Sequence, residues 1–229
     1  MTGPPRAHPD CVFFDFDGVI VDSVEAKIAA FGELYAQFGP AVRAEVEAYQ
    51  RAVPGETRFA KIPRFHRELL GVELSQSEIG EWAGRLRTIV VDRVIASPLL
   101  PGVADTLALL VRRGIPAHVV SGTPEDELSV IAEARGLAPF FRSLRGSPRA
   151  KPDIVREILV TERHRPEACL FVGDAMSDLA CARTCGLGFL GRAEGNAHPF
   201  PEGTRVVENL LDVFGAYDGP DEPARTKAA

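Results

Sequence analysis

Cys11-Val12-Phe13-Phe14-Asp15-Phe16-Asp17-Gly18 runs four apolar side chains straight into two aspartates and a glycine. A short unbroken apolar run closed by a turn signal suits a strand buried on both faces, as in a parallel sheet covered by helices. The chain that follows changes period. Val24, Ile28, Phe31, Tyr35 and Phe38 recur at helical spacing until Gly39-Pro40 stops them. Residues 41–70 also read as helical, interrupted at Pro54-Gly55 and again at Pro63. Ser75 with Glu78 makes a capping box ahead of Ile79, Trp82, Leu86, Ile89 and Arg93. Residues 22–97 hold no strand signal, and their aromatic stripe and Trp82 read as the core of a helical block.

Helix and strand alternate after Pro98-Leu99-Leu100-Pro101-Gly102. A helix from Val103 ends at Gly114, and residues 116–120 read as a strand. Thr123 as N-cap and Pro124 as first helical residue open the next helix, which stops at Arg135-Gly136. A helix over 152–163, a buried strand over 168–172, a helix over 177–185 and a last strand over 188–190 complete the pattern. Strands separated by helices imply an α/β fold, a Rossmann-like parallel sheet with helices on both faces. The expected organisation is a discontinuous core, residues 1–21 and 99–229, with an inserted all-helical cap over 22–98. Residues 1–9 and 216–229 carry no periodicity and read as loose ends.

The composition fits this picture. Hydrophobic residues make up 45% and charged residues 25% of the 229, which excludes collagenous and disordered chains. No apolar run approaches the ~20 residues that span a bilayer. The start, Met1-Thr2-Gly3-Pro4-Pro5-Arg6, lacks the apolar stretch of a signal peptide, so a cytoplasmic protein with no membrane partner is expected. Net charge is −6 and the longest basic run is Arg112-Arg113, which argues against nucleic acid as a partner. The four cysteines, at 11, 169, 181 and 185, show no zinc-ligand spacing and read as small buried hydrophobes. None of the five histidines has ligand spacing either, and His118, within a strand, reads as structural.

The residues that can do chemistry gather at the strand ends, where ligands bind in such sheets. Asp15 and Asp17 follow the first strand, Ser121-Gly122-Thr123 the second, and Gly173-Asp174 the strand over 168–172, with Asp178 one turn into the next helix. Lys151 opens another helix. Crowded carboxylates raise one another's pKa unless a cation sits among them, and an all-oxygen ligand set of this kind suits Mg2+. Lys151, Ser121 and the N–H groups of Gly122 and Thr123 supply an anion-binding half. That combination fits a phosphate group. An EF-hand reading of Asp15-x-Asp17 fails, because Ile20 and Ala26 stand where the loop needs its glycine and glutamate.

In chain order these pieces resemble the haloacid dehalogenase-like (HAD) superfamily. The matching text is Phe13-Phe14-Asp15-Phe16-Asp17-Gly18-Val19-Ile20-Val21-Asp22-Ser23, then Val120-Ser121-Gly122-Thr123, then Lys151-Pro152, then Val172-Gly173-Asp174-Ala175-Met176-Ser177-Asp178. The likeness covers residues 11–214, and the helical insert resembles the C1-type caps of phosphoglycolate phosphatase-like and β-phosphoglucomutase-like members. The resemblance implies that Asp15 is a nucleophile giving an aspartyl-phosphate and that Asp17 is the acid and base. It implies Mg2+ on Asp15, the Asp17 carbonyl and Asp174, with Asp178 in support, and phosphoryl oxygens on Ser121, Gly122 and Lys151. Dehalogenases of the superfamily lack the second aspartate, so Asp17 favours phosphoryl transfer.

The implied activity is therefore a Mg2+-dependent phosphatase acting on a small phosphorylated metabolite. A β-phosphoglucomutase-type phosphomutase is the alternative, and a non-catalytic phosphometabolite-binding protein a more distant one. The cap is expected to exclude water and read the substrate beyond its phosphate. Arg58 and Lys61 are the candidates for that reading, against the alternative of solvated helix charges. Glu25 and Lys27 read as solvated charges, with a place facing the cleft as their alternative.

Overall fold

A computed structural model describes residues 8–53, 56–195 and 197–214. The strands β1 (Cys11–Phe14), β2 (Ala117–Pro124), β3 (Ser143–Ser147), β4 (Cys169–Gly173), β5 (Gly188–Arg192) and β6 (Val206–Val207) form one six-stranded sheet. Their order is β3-β2-β1-β4-β5-β6, and every neighbouring pair is parallel. The chain builds outward from β1 to β3, then crosses back to lay β4 on the other flank of β1. A crevice therefore opens beyond the carboxyl ends of β1 and its neighbours.

All four residues of β1 are fully buried, which explains its unbroken apolar run. Val12 and Phe14 face a core shared with α5 (Val103–Arg112), α6 (Glu125–Ala134) and α9 (Leu211–Phe214). Cys11 and Phe13 face a second core built with α7 (Lys151–Thr161) and α8 (Met176–Cys185). All four cysteines are buried free thiols.

Between β1 and α5 lie α1 (Val24–Tyr35), α2 (Pro40–Ala52), α3 (Arg58–Leu70) and α4 (Gln76–Ala96). Tyr35 is the hub of this helical insert. Its ring stacks on Trp82 at 5.5 Å, meets Phe65 edge-on at 5.4 Å, and its hydroxyl reaches His66 Nδ1 at 3.0 Å. Ser75 and Glu78 form the expected capping box at the start of α4, the Ser75 N–H donating to Glu78 Oε2 at 2.8 Å. Val21 bridges both Asp17 and Leu99, which joins the two strands of chain that lead into and out of the insert. None of the helices among the described residues is long and apolar enough to cross a membrane.

Several details depart from the sequence reading. The first amphipathic helix ends at Tyr35 and continues as a 3-10 turn over Ala36–Phe38. Pro63 lies inside α3 rather than interrupting it, since Ile62 and Phe65 on either side anchor the helix in the core. The break expected at Pro54-Gly55 falls outside the described residues, as do the loose ends apart from His8 and Pro9. Two strands were not anticipated. β3 is an edge strand of mixed polarity and β6 is two residues long, so neither carries an apolar run. The strand over 188–190 is consequently not the last. Thr123 does not cap α6: β2 runs on through Pro124 and the helix begins at Glu125, with no side-chain cap.

Candidate active site

Asp15 sits one residue beyond β1, its N–H donating to the Val172 carbonyl at 2.9 Å and so extending the β1–β4 pairing. The chain then reverses through Gly18, whose φ of 76° belongs to the left-handed region that favours glycine. The Gly18 N–H donates to Val21 O at 2.8 Å, which closes the turn. Space also dictates glycine here, because a Cβ at position 18 would lie 2.1 Å from Asp174 Oδ2.

Asp15, Asp174 and Asp178 each offer a carboxylate oxygen within 4.8 Å of the others. Lys151, the first residue of α7, joins two of them, with Nζ 2.7 Å from Asp15 Oδ2 and 2.6 Å from Asp178 Oδ1. The second oxygen of Asp178 accepts from the Ala175 N–H at 3.1 Å, so this fully buried carboxylate stands behind the others as a support. Burial pushes the Asp15 carboxyl up to about 6, with Lys151 opposing the rise and Asp178 and Asp17 adding to it. Burial, together with Asp15 and Asp178, also holds Asp174 well above the usual carboxylate range. Burial works against the charge on Lys151, but Asp15 and Asp178 outweigh it and raise its pKa.

Asp17 is held differently. Ser23 Oγ donates to its Oδ1 at 2.6 Å, Thr123 Oγ1 donates to its Oδ2 at 2.8 Å, and Lys27 forms an ion pair with the same Oδ2. Lys27 also donates to Thr123 Oγ1 at 2.7 Å. Burial alone would raise the Asp17 carboxyl, yet Lys27 and the two hydroxyls lower it. Lys27 lies on α1, so the helical insert reaches into the core site through this residue, and a solvated reading of Lys27 does not hold. Glu25 is exposed instead and pairs with Arg51 at 2.9 Å.

Ser121 and Gly122 line the same cleft as Asp15, Asp17, Lys151 and Asp174. Ser121 is buried, and its Oγ accepts from the Thr123 N–H at 3.1 Å. On the cap side stand Arg58 and Lys61. Neither is solvated. Lys61 is 2% exposed and donates to Gln50 Oε1 at 2.6 Å, and burial pushes its ammonium down to about 8. No ion pair to Lys61 occurs among the described residues. Arg58 makes a two-pronged pair with Glu127 of α6.

Sequence reasoning missed Thr123 as a partner of Asp17, and it missed Gln50 and Glu127. Glu127 reads locally as one of three acids in the first turn of α6, and nothing near it announces an arginine from α3.

Four carboxylates (Asp15, Asp17, Asp174, Asp178) face two ammonium groups (Lys27, Lys151) in one buried site. The two negative charges left over are what a divalent cation would neutralise, and the all-oxygen donors fit a hard one.

A family model of haloacid dehalogenase-like hydrolases matches residues 9–186. Phosphoglycolate phosphatase 1 of Pseudomonas aeruginosa is 28% identical over 224 residues, spanning 92% of this chain and 80% of that protein. Among solved structures, CbbY of Rhodobacter sphaeroides in complex with phosphate has a TM-score of 0.71 at 22% identity, covering 89% of this chain and 96% of that one. A variant of CbbY in complex with xylulose-1,5-bisphosphate gives 0.70 at 22% identity, covering 88% and 94%. At that identity the likeness is one of fold. With the family match running across both the carboxylate cluster and the helical insert, the chain belongs to the haloacid dehalogenase-like hydrolases.

Proposed function

We propose that this protein is a Mg2+-dependent phosphatase that hydrolyses a small phosphorylated metabolite through an aspartyl-phosphate on Asp15. One observation carries the reading: Asp15 and Asp17 enter one cleft, each held by its own lysine, Lys151 from the core and Lys27 from the cap. Because Lys27 and the two hydroxyls lower the Asp17 carboxyl, Asp17 must take up a proton as the phosphate monoester monoanion binds before it can serve as the acid. An Asp15 oxygen bonds to phosphorus as the bond to the leaving oxygen breaks, and Asp17 delivers a proton to that oxygen. Asp17 then takes a proton from the attacking water, phosphate departs, and Asp15 is restored.

Ser121, the Gly122 N–H and Lys151 would hold the phosphoryl oxygens through both steps. Mg2+ would be held by Asp15, Asp174 and the Asp17 carbonyl, with Asp178 behind them. It would offset the charge between phosphoryl oxygens and carboxylates.

For the leaving group, the name of the Pseudomonas relative and the buried ammonium of Lys61, which has no ion pair among the described residues, both support a phosphate ester that itself carries a carboxylate. The buried free thiols support a reducing, cytoplasmic setting.

The test is phosphate release from an aryl phosphate and from 2-phosphoglycolate. Turnover that requires Mg2+ and vanishes in Asp15→Asn supports the proposal. Full activity in Asp15→Asn, or without any divalent ion, would overturn it.

A further inference from the structure

Toward the amino ends of the central strands lies a second cluster that the phosphatase chemistry does not use. Cys11 opens β1, about 13 Å from Asp15 at ~3.3 Å per strand residue. Its Sγ, a ring nitrogen of His118 on β2 and a ring nitrogen of His164 in the turn after α7 lie within 4.8 Å of one another. Cys11 and His118 are completely buried, and the His164 side chain is 15% exposed.

The state of His118 points to a ligand. Its Nδ1 is bonded to Ser143 Oγ at 2.8 Å, which fixes the ring, while its Nε2 is buried with no hydrogen-bond partner. Glu162 Oε2 lies 3.6 Å from that nitrogen, an ion-pair distance only when the ring is protonated, and 3.3 Å from His164 Nε2. A buried imidazole nitrogen whose nearest acceptor lies beyond hydrogen-bond distance is costly and calls for an explanation. An imidazole anchored through one nitrogen and presenting the other is also how proteins orient a metal-binding histidine. Cys169, beside Cys11 across the β1–β4 pair, donates its thiol to the Arg165 carbonyl at 3.3 Å and accepts from the Cys11 thiol, a hydrogen bond that metal binding at Cys11 would replace.

We propose that Cys11, His118 and His164 form a second cation site, for a borderline-soft divalent transition ion of the Zn2+ type. One sulfur and two nitrogens suit such an ion and not Mg2+, whose preference is for oxygen. A tetrahedral zinc centre sets its donors about 3.5 Å apart, so binding requires the three to close in from their present spacing of up to 4.8 Å. Binding releases the Cys11 thiol proton to solvent, and the resulting thiolate offsets one of the two positive charges, while Glu162, already paired with Arg142 at 3.0 Å, stands beside the ion. The bound ion would tie β1, β2 and the turn after α7 together toward the amino ends of the strands.

The experiment adds Co2+ to the full-length, chelator-treated protein and reads the near-ultraviolet thiolate-to-cobalt charge-transfer band. The carboxylate site has no sulfur and cannot produce that band. The expected result is a band that saturates at one equivalent, is displaced by Zn2+, and persists in excess Mg2+. Cys11→Ser should abolish it, Cys169→Ser should retain it, and His164→Gln should weaken Co2+ binding about tenfold or more. His164 lies in a turn at the surface, so its variant keeps the test open if Cys11→Ser fails to fold. Absence of the band in the wild type, its survival in Cys11→Ser, or unchanged affinity in His164→Gln would overturn the proposal.

Discussion

Arg58 of α3 and Glu127 of α6 face each other across the cleft in a two-pronged ion pair, Nη1 to Oε1 at 2.8 Å and Nη2 to Oε2 at 2.7 Å. Both side chains are nearly buried, at 8% and 4% exposure, so the pair clasps the cap to the core away from water. Removing one partner strands the other. Arg58→Ala or Glu127→Ala is expected to lower stability by about 3–5 kcal/mol in urea unfolding, and Arg58→Met with Glu127→Leu to recover most of it. Single variants should also raise KM, because the cap loses its clasp. Additive losses in the double variant would show that the two residues do not act as a pair.

Asp17 as leaving-group acid predicts dependence on the leaving group. Asp17→Asn should slow hydrolysis of an alkyl phosphate by about a hundred- to ten-thousand-fold, but of p-nitrophenyl phosphate by about tenfold or less in the first step. Burst kinetics separates that step from the second. Lys27 touches Asp17 and Thr123 and acts through them. Lys27→Gln should therefore lower kcat in the wild type and change little in Asp17→Asn, a non-additivity read by a double-mutant cycle.

Gly18→Ala tests the acidic half of the site. The new methyl group meets Asp174 Oδ2, the movable end of a side chain, so Asp174 gives way rather than the backbone. The left-handed conformation adds about 1–2 kcal/mol of strain. The Mg2+ concentration for half-maximal activity should rise about tenfold or more, read by Mg2+ titration of the rate. An unchanged Mg2+ requirement in a folded variant would remove Asp174 from the cation site.

Lys61 sets a pH dependence with a definite sign. Burial holds it at about 8, below its unfolded value of 10.5, so its positive charge fades as pH rises through 8. KM for a carboxylate-bearing phosphate ester should climb between pH 7 and pH 9 while KM for an uncharged-leaving-group ester stays flat, and Lys61→Met should abolish the difference. Stability moves the other way. Between 8 and 10.5 the unfolded chain binds the extra proton, so Lys61 makes folding more favourable as pH rises across that window.

Much of the fold is legible along the chain because its causes are local. The apolar run Cys11–Phe14, the capping box at Ser75 and the αL glycine Gly136 each act on neighbouring residues. Asp15, Asp17, Ser121, Lys151, Asp174 and Asp178 are legible as well, because each stands at or near a strand end or helix start recognisable by itself. β3 and β6 were not legible, since edge strands need pairing partners rather than apolar side chains. Thr123 looked like a helix cap because threonine before proline does so locally, and its distant partner Asp17 decided otherwise.

By itself, the sequence determined the parallel α/β core, the inserted helical block and the residue types needed for phosphoryl transfer. Only the tertiary structure decided which charges meet. Lys27 turns inward to Asp17, Arg58 clasps Glu127, and Cys11, His118 and His164 converge from three separate segments. Secondary structure is set by periodicities of a few residues, whereas ion pairs and ligand clusters are set by distances of a few ångströms between residues remote in sequence. Chain spacing carries no record of those distances until the sheet order and the docking of the cap close them.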